Sequence, residues 1–190
     1  MPLAKQREPA TYQEYLSRPE DERWEIIDGV AYNMVPAPNT RHQTILVNLT
    51  LVVGNALRNS MCRLFVAPTD VVLSEENVVE PDVFVVCDPT KMTERCIRGA
   101  PDVVFEIISP SSTKKDRLVK RRLYERFGVK EYVLVDPDGP CVERFLLDES
   151  GRYGVSEIFD SSQTLTLKSL NGVYIPLAEI FALGTESREL

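Results

Sequence analysis

The sequence predicts an α/β fold with a mixed central sheet flanked by helices and additional antiparallel strands at the C-terminus. Three observations carry that prediction. The run Val103-Val104-Phe105-Glu106-Ile107-Ile108 is apolar on both faces, as a central strand covered on each side must be. A helical segment at 114–127 and a second apolar run at 131–135 follow it, which makes a βαβ unit with parallel strands. Finally, Ile45, Leu46, Leu49, Val52, Val53, Ala56 and Leu57 recur at helical spacing within 40–59, giving a long helix with one buried stripe.

The other elements follow from local chemistry. Residues 1–10 read as a flexible tail, and 11–16 as a short helix stopped near Pro19. Asp28-Gly29 between 23–27 and 30–35 is a hairpin signal. Asn39 is placed to cap the long helix. The β-branched runs 63–67, 70–74 and 81–87 read as strands. Thr113 is expected to cap the second helix, with Asp116 completing a capping box and Gly128 ending it. Short antiparallel strands at 141–147, 152–159 and 164–167 and a helical turn at 177–181 complete the chain.

At 190 residues and 43% hydrophobic content, residues 11–190 are expected to build a single domain. The N-terminus lacks the apolar stretch of a secretory signal, and no apolar run approaches the roughly 20 residues of a membrane helix. The expectation is a cytoplasmic protein with no membrane partner. Cys62, Cys87, Cys96 and Cys141 are widely spaced with no Cys-x-x-Cys, which argues against a zinc site and points to reduced thiols, and the single histidine excludes His₂ or His₃ metal sites.

A net charge of −7 argues against a general nucleic-acid coat protein. Between 114 and 130, however, eight basic residues stand against Asp116 and Glu125. Such segregation permits a phosphate-facing surface, and an ordinary solvated helix face accounts for it equally well.

Two carboxylates stand in surroundings that do not suit them. Asp82 opens a strand whose same-face neighbours are Phe84 and Val86, and Glu106 shares a face with Val104 and Ile108. An ionised carboxylate buried there costs several kcal/mol unless it is neutralised, paired or bound to a metal. If adjacent strands bring the two together, their oxygens suit Mg²⁺; the alternative is a salt bridge to arginine or an exposed strand end for each.

On a helical wheel at 100° per residue, Val119, Leu123, Tyr124 and Phe127 define the buried stripe of the second helix and Lys120 falls inside it. Lys114, Lys115, Arg121, Arg122 and Arg126 point away. Lys120 is thus aimed at the core, where buried carboxylates would be its partners or where it snorkels at the stripe edge. His42 falls in the apolar stripe of the long helix, as a site residue or a core histidine. Glu25, alternating with Ile27, is a weaker candidate of the same kind.

Glu80-Pro81-Asp82, then Glu106 in an apolar strand, then a lysine resembles the PD-(D/E)XK nuclease pattern. More specifically, the chain resembles a large family of restriction-endonuclease-like proteins abundant in cyanobacteria. The resemblance rests on 24–29, 36–43, 80–83, 99–102, 105–111, 120–124 and 128–137. One departure stands out: Ile108 occupies the place two residues after Glu106 where the superfamily has its lysine; the resemblance to the family implies that Lys120, on the following helix, takes that role.

The resemblance implies a restriction-endonuclease-like core and a metal-dependent endonuclease. Its metal ligands would be Asp82, Glu106 and the carbonyl of Ile107, holding Mg²⁺ or Mn²⁺, with Lys120 at the attacking water and Glu25 and His42 as further site residues. Arg117, Arg121 and Arg126 would hold neighbouring phosphates. The substrate would be DNA, with RNA as the alternative, and the assembly a homodimer. The competing readings are a non-catalytic nucleic-acid or protein-interaction module on the same fold, and a Mg²⁺-dependent hydrolase of another phosphate ester.

Overall fold

A computed structural model describes residues 9–17, 23–34, 39–110 and 112–182. Expectations for 1–8, for the stop near Pro19 and for Val35 lie outside these residues. Ala10, expected in the loose tail, is instead buried, and its N–H donates to the Gly29 carbonyl at 2.8 Å. Helix α1 (Tyr12–Leu16) follows, with Thr11 as its cap.

Strands β1 (Trp24–Ile27) and β2 (Val30–Asn33) form the expected hairpin. Its turn needs left-handed backbone at both central positions, and Asp28 at φ 51° and Gly29 at φ 71° supply it. They join β5 (Asn77–Val79), β4 (Val71–Ser74) and β7 (Ile97–Arg98) in a five-stranded sheet ordered β2-β1-β5-β4-β7. Sequence reasoning missed β5 and β7, whose three and two residues are too short for a period to register.

A six-stranded sheet has the order β11-β10-β9-β8-β6-β3. Its strands are β3 (Arg63–Val66), β6 (Val83–Val86), β8 (Val103–Ile107), β9 (Glu131–Asp136), β10 (Cys141–Leu146) and β11 (Glu157–Asp160). Strands β8 and β9 are parallel, as the βαβ reading requires, and β6 runs antiparallel to β8. The hairpin of β12 (Thr164–Leu167) and β13 (Val173–Pro176) and helix α4 (Leu177–Phe181) close the described chain.

Period-two alternation sends the side chains of this sheet into two cores. On one face Val83, Val85, Val103, Phe105, Ile107, Val133 and Val135 pack with Ile45, Leu49 and Val53 of α2 (Thr40–Ala56), with the β12–β13 hairpin and with α4. The opposite face presents Phe84, Val86, Val104, Ile108, Tyr132 and Leu134 to Leu123 and Tyr124 of α3 (Arg121–Phe127) and to Val71 and Val79 of the five-stranded sheet. The Glu106 strand therefore has apolar layers on both sides.

Two expectations of local chemistry fail. Cys62 and Cys87 are joined by a disulfide, not reduced. The pairing of β3 with β6 aligns Arg63 with Val86, so the two cysteines are the next cross-strand pair, a juxtaposition that 25 residues of separation conceal. The second helix also starts differently. Thr113 donates its hydroxyl to the Ser109 carbonyl and does not cap; Ser109 Oγ instead accepts from the Ser112 N–H at 3.2 Å. Asp116 turns inward and is buried, because residues 115–120 form a π-helical segment, closed where the Arg121 N–H donates to the Asp116 carbonyl.

Candidate active site

The register of β6 against β8 pairs Val83 with Phe105 and Phe84 with Val104, so continuing it sets Asp82 opposite Glu106. Here the ladder changes character. The Ile107 N–H, which would seek a main-chain carbonyl, donates to Asp82 Oδ2 at 2.8 Å. The next N–H, of Ile108, turns to the other side and donates to the Val135 carbonyl at 2.9 Å. Because a strand residue presents its N–H and C=O to the same side, the Ile107 carbonyl also lies on the Asp82 side.

His42 reaches Asp82 from the α2 face. Asn39 caps α2 by accepting from the His42 N–H at 2.8 Å, which fixes the first turn. The His42 Nε2 atom then lies 3.2 Å from Asp82 Oδ2, and its Nδ1 is buried without a hydrogen-bond partner among the described residues. Asp82, at the mouth of its strand, keeps about 20% of its side chain exposed.

On the opposite face lies a buried ionic network. Lys120 Nζ is 2.8 Å from Glu106 Oε1, 2.6 Å from Glu25 Oε1 and 4.0 Å from Asp116 Oδ1. Tyr124 donates its hydroxyl to Glu106 Oε1 at 2.9 Å. Lys115 Nζ donates to Glu25 Oε2 at 2.6 Å. The helical wheel finds Lys120 and Tyr124 on the inner face, but its assignment of Lys115 to the outer face is wrong. An i→i+5 pattern has more than four residues per turn, so positions four and five apart straddle one face. Asp116 and Lys115, four and five residues before Lys120, are thereby turned toward it.

These groups perturb one another. Burial pushes the Glu106 carboxyl up to about 8, against the pull of Lys120 and with the repulsion of Asp116, Asp82 and Glu25 adding to the rise. Burial alone would also raise Glu25, but Lys120 and Lys115 bring it below its ordinary value. Burial would lower Lys120, and Glu106, Glu25 and Asp116 hold it well above the usual lysine range. Glu25, the weaker candidate, thus proves to be the fully buried carboxylate that carries the charge between two ammonium groups.

The structure therefore brings Asp82, His42 and Ile107 into one contact group, and Glu106, Lys120 and Glu25 into another, joined through the paired strands. Of the basic residues expected to line a phosphate surface, Arg126 is paired with Asp28 and Arg117 with Glu143, while Arg121 lies over the Phe145 ring at 4.8 Å. Among the described residues no three His, Cys, Asp or Glu side chains converge as a metal cage. Asp82, Glu106 and the Ile107 carbonyl are nevertheless oxygen donors of the kind Mg²⁺ takes, since the ion keeps several waters and binds through one or two carboxylates.

Among the described residues no helix is long and apolar enough to cross a membrane. Comparison with known proteins finds one relative in Synechocystis sp., an uncharacterized protein 28% identical over 164 residues, 85% of each chain. The crystal structure of "a putative nuclease belonging to DUF820" from Anabaena variabilis matches 91% of this chain and 98% of its own, with a TM-score of 0.75 at 21% identity, and so shares the fold. The model of the Uma2 family, described as "Putative restriction endonuclease", matches residues 9–178. The fold is restriction-endonuclease-like, and the chain belongs to the Uma2 family.

Proposed function

We propose that the protein is a divalent-metal-dependent endonuclease that hydrolyses phosphodiester bonds in DNA, with RNA as the alternative substrate. One observation carries this reading: the β6–β8 register sets Asp82 and Glu106 at opposed positions of paired strands, and the Lys120 ammonium donates to Glu106 at 2.8 Å. Asp82, Glu106 and the Ile107 carbonyl would hold Mg²⁺ or Mn²⁺, which when bound supplies a polarised phosphate oxygen and a more acidic water.

The chain's own groups have separate tasks. Lys120 holds Glu106 in place and balances the charge of the acids gathered around it. Glu25 keeps Lys120 from swinging away, through the contact at 2.6 Å. His42 braces Asp82 from the α2 face. A homodimer would let two such sites meet two strands.

The test is calorimetric titration of Mn²⁺ and Mg²⁺ into wild type, Asp82→Ala and Glu106→Ala, beside a plasmid cleavage assay. Metal binding and cleavage in wild type, lost in both variants, is the expected result. Metal-independent DNA binding without cleavage would establish instead a non-catalytic nucleic-acid module. The observation on that side is that Lys120 is about 2% exposed and already bonded to two carboxylates.

A further inference from the structure

Two lysines share the carboxylate of Glu25, and their surroundings differ. Lys120 Nζ donates to Glu25 Oε1 and Glu106 Oε1 and has Asp116 Oδ1 at 4.0 Å, so all three of its hydrogens face acids. Its side chain is about 3% exposed. An anion arriving from solvent would have to break a buried ion pair to reach it, which is strongly unfavourable.

Lys115 is built differently. Its side chain is about 23% exposed and its one described carboxylate partner is Glu25 Oε2 at 2.6 Å, which leaves two N–H donors of the ammonium. The ring of Tyr32 lies 6.0 Å from its Nζ, at the limit of a cation–π contact and too far to remove those donors. Its placement depends on the π-helical turn, since ordinary α-helical geometry points it outward. Glu25 then ties it to the same carboxylate that holds Lys120 beside Glu106.

We propose that Lys115, with its partly exposed side chain anchored on Glu25, is the group that contacts a substrate phosphate, while Lys120 acts as a positioning residue for Glu106 and Glu25. This rests on the nuclease reading for the identity of the substrate, a phosphodiester of DNA. Lys115 is suited to the task as a compact point charge that remains hydrated until a phosphate replaces that water.

The experiment measures binding of a short labelled DNA duplex by fluorescence anisotropy, with EDTA present, between 50 and 200 mM salt. Wild type, Lys115→Met, Lys115→Arg and Lys120→Met are compared, with far-UV circular dichroism to verify the fold. One lost phosphate contact lowers the slope of log K against log salt by about 0.9. That decrease is expected in Lys115→Met, with restoration in Lys115→Arg and an unchanged slope in Lys120→Met. Should Lys120→Met fail to fold, the contrast between the two Lys115 variants decides alone. An unchanged slope in Lys115→Met, or no duplex binding by wild type, overturns the proposal. Cleavage by wild type with Mg²⁺ or Mn²⁺ is scored separately: the slope change without any cleavage would retain the phosphate contact and discard the nuclease.

Discussion

Replacing Lys120 by methionine keeps most of the side-chain volume and removes the ammonium that bridges Glu25 and Glu106. Deleting one partner of a buried ion pair costs about 3–5 kcal/mol, because the other charge is left behind without compensation. Two features place this site at the lower end. Glu25 keeps Lys115 at 2.6 Å. Glu106, pushed up to about 8, carries its proton at neutral pH and keeps the Tyr124 hydroxyl. The expected loss at pH 7 is about 3 kcal/mol.

The pH dependence has a definite sign. A carboxyl whose folded pKa is raised contributes stability below its ordinary value of 4.5 and loses it as pH rises through about 8. Lys120 limits that loss in wild type by pulling the Glu106 carboxyl down. Without it the rise is larger, the loss continues to higher pH, and the deficit of Lys120→Met should grow between pH 7 and pH 9. Urea titrations followed by circular dichroism, with the single tryptophan Trp24 as a second probe, measure it. A deficit below about 1 kcal/mol at pH 7, the range of an exposed pair, or one that shrinks toward pH 9, would refute the reasoning.

Two further predictions concern the scaffold. Gly29→Ala should cost about 1–3 kcal/mol, because φ is +71° and the added methyl would lie 2.5 Å from Pro9 Cβ. Gly29→Asn should not rescue it in a thermal melt, since asparagine tolerates the backbone but still meets Pro9. Glu131→Ala should cost about 1–3 kcal/mol: its buried Oε1 accepts from the Ser169 N–H at 2.9 Å, at the turn that leads into β13. Faster hydrogen exchange of the Ser169 amide in that variant would locate the loss, and unchanged exchange would count against the assignment.

Much of this site is legible in the sequence because burial of charge leaves a trace. Asp82 and Glu106 interrupt apolar alternation, and Lys120 interrupts an apolar helical stripe; each anomaly marks a group that needs a partner. Lys115 and Asp116 leave no such trace, since the wide π turn changes the very angle by which a wheel sorts inside from outside. Glu25 sits in a four-residue strand with two apolar neighbours, too little sequence to distinguish a fully buried acid from an edge residue. The Cys62–Cys87 bond and the meeting of His42 with Asp82 are products of tertiary pairing, on which spacing along the chain is silent.

The carboxylate of Asp82 takes the Ile107 N–H just beyond the Val83–Phe105 pair of β6 and β8, where the opposed residue, Pro81, has no N–H to continue the ladder. A side chain here does the work of a peptide carbonyl, and it does so with an oxygen that can let go. Hydrogen bonding between β6 and β8 therefore passes from main chain to side chain beside Glu106. Substituting an apolar residue at position 82 would strip the Ile107 amide of its acceptor as well as removing a carboxylate, so the strand end and its chemistry depend on the same few atoms.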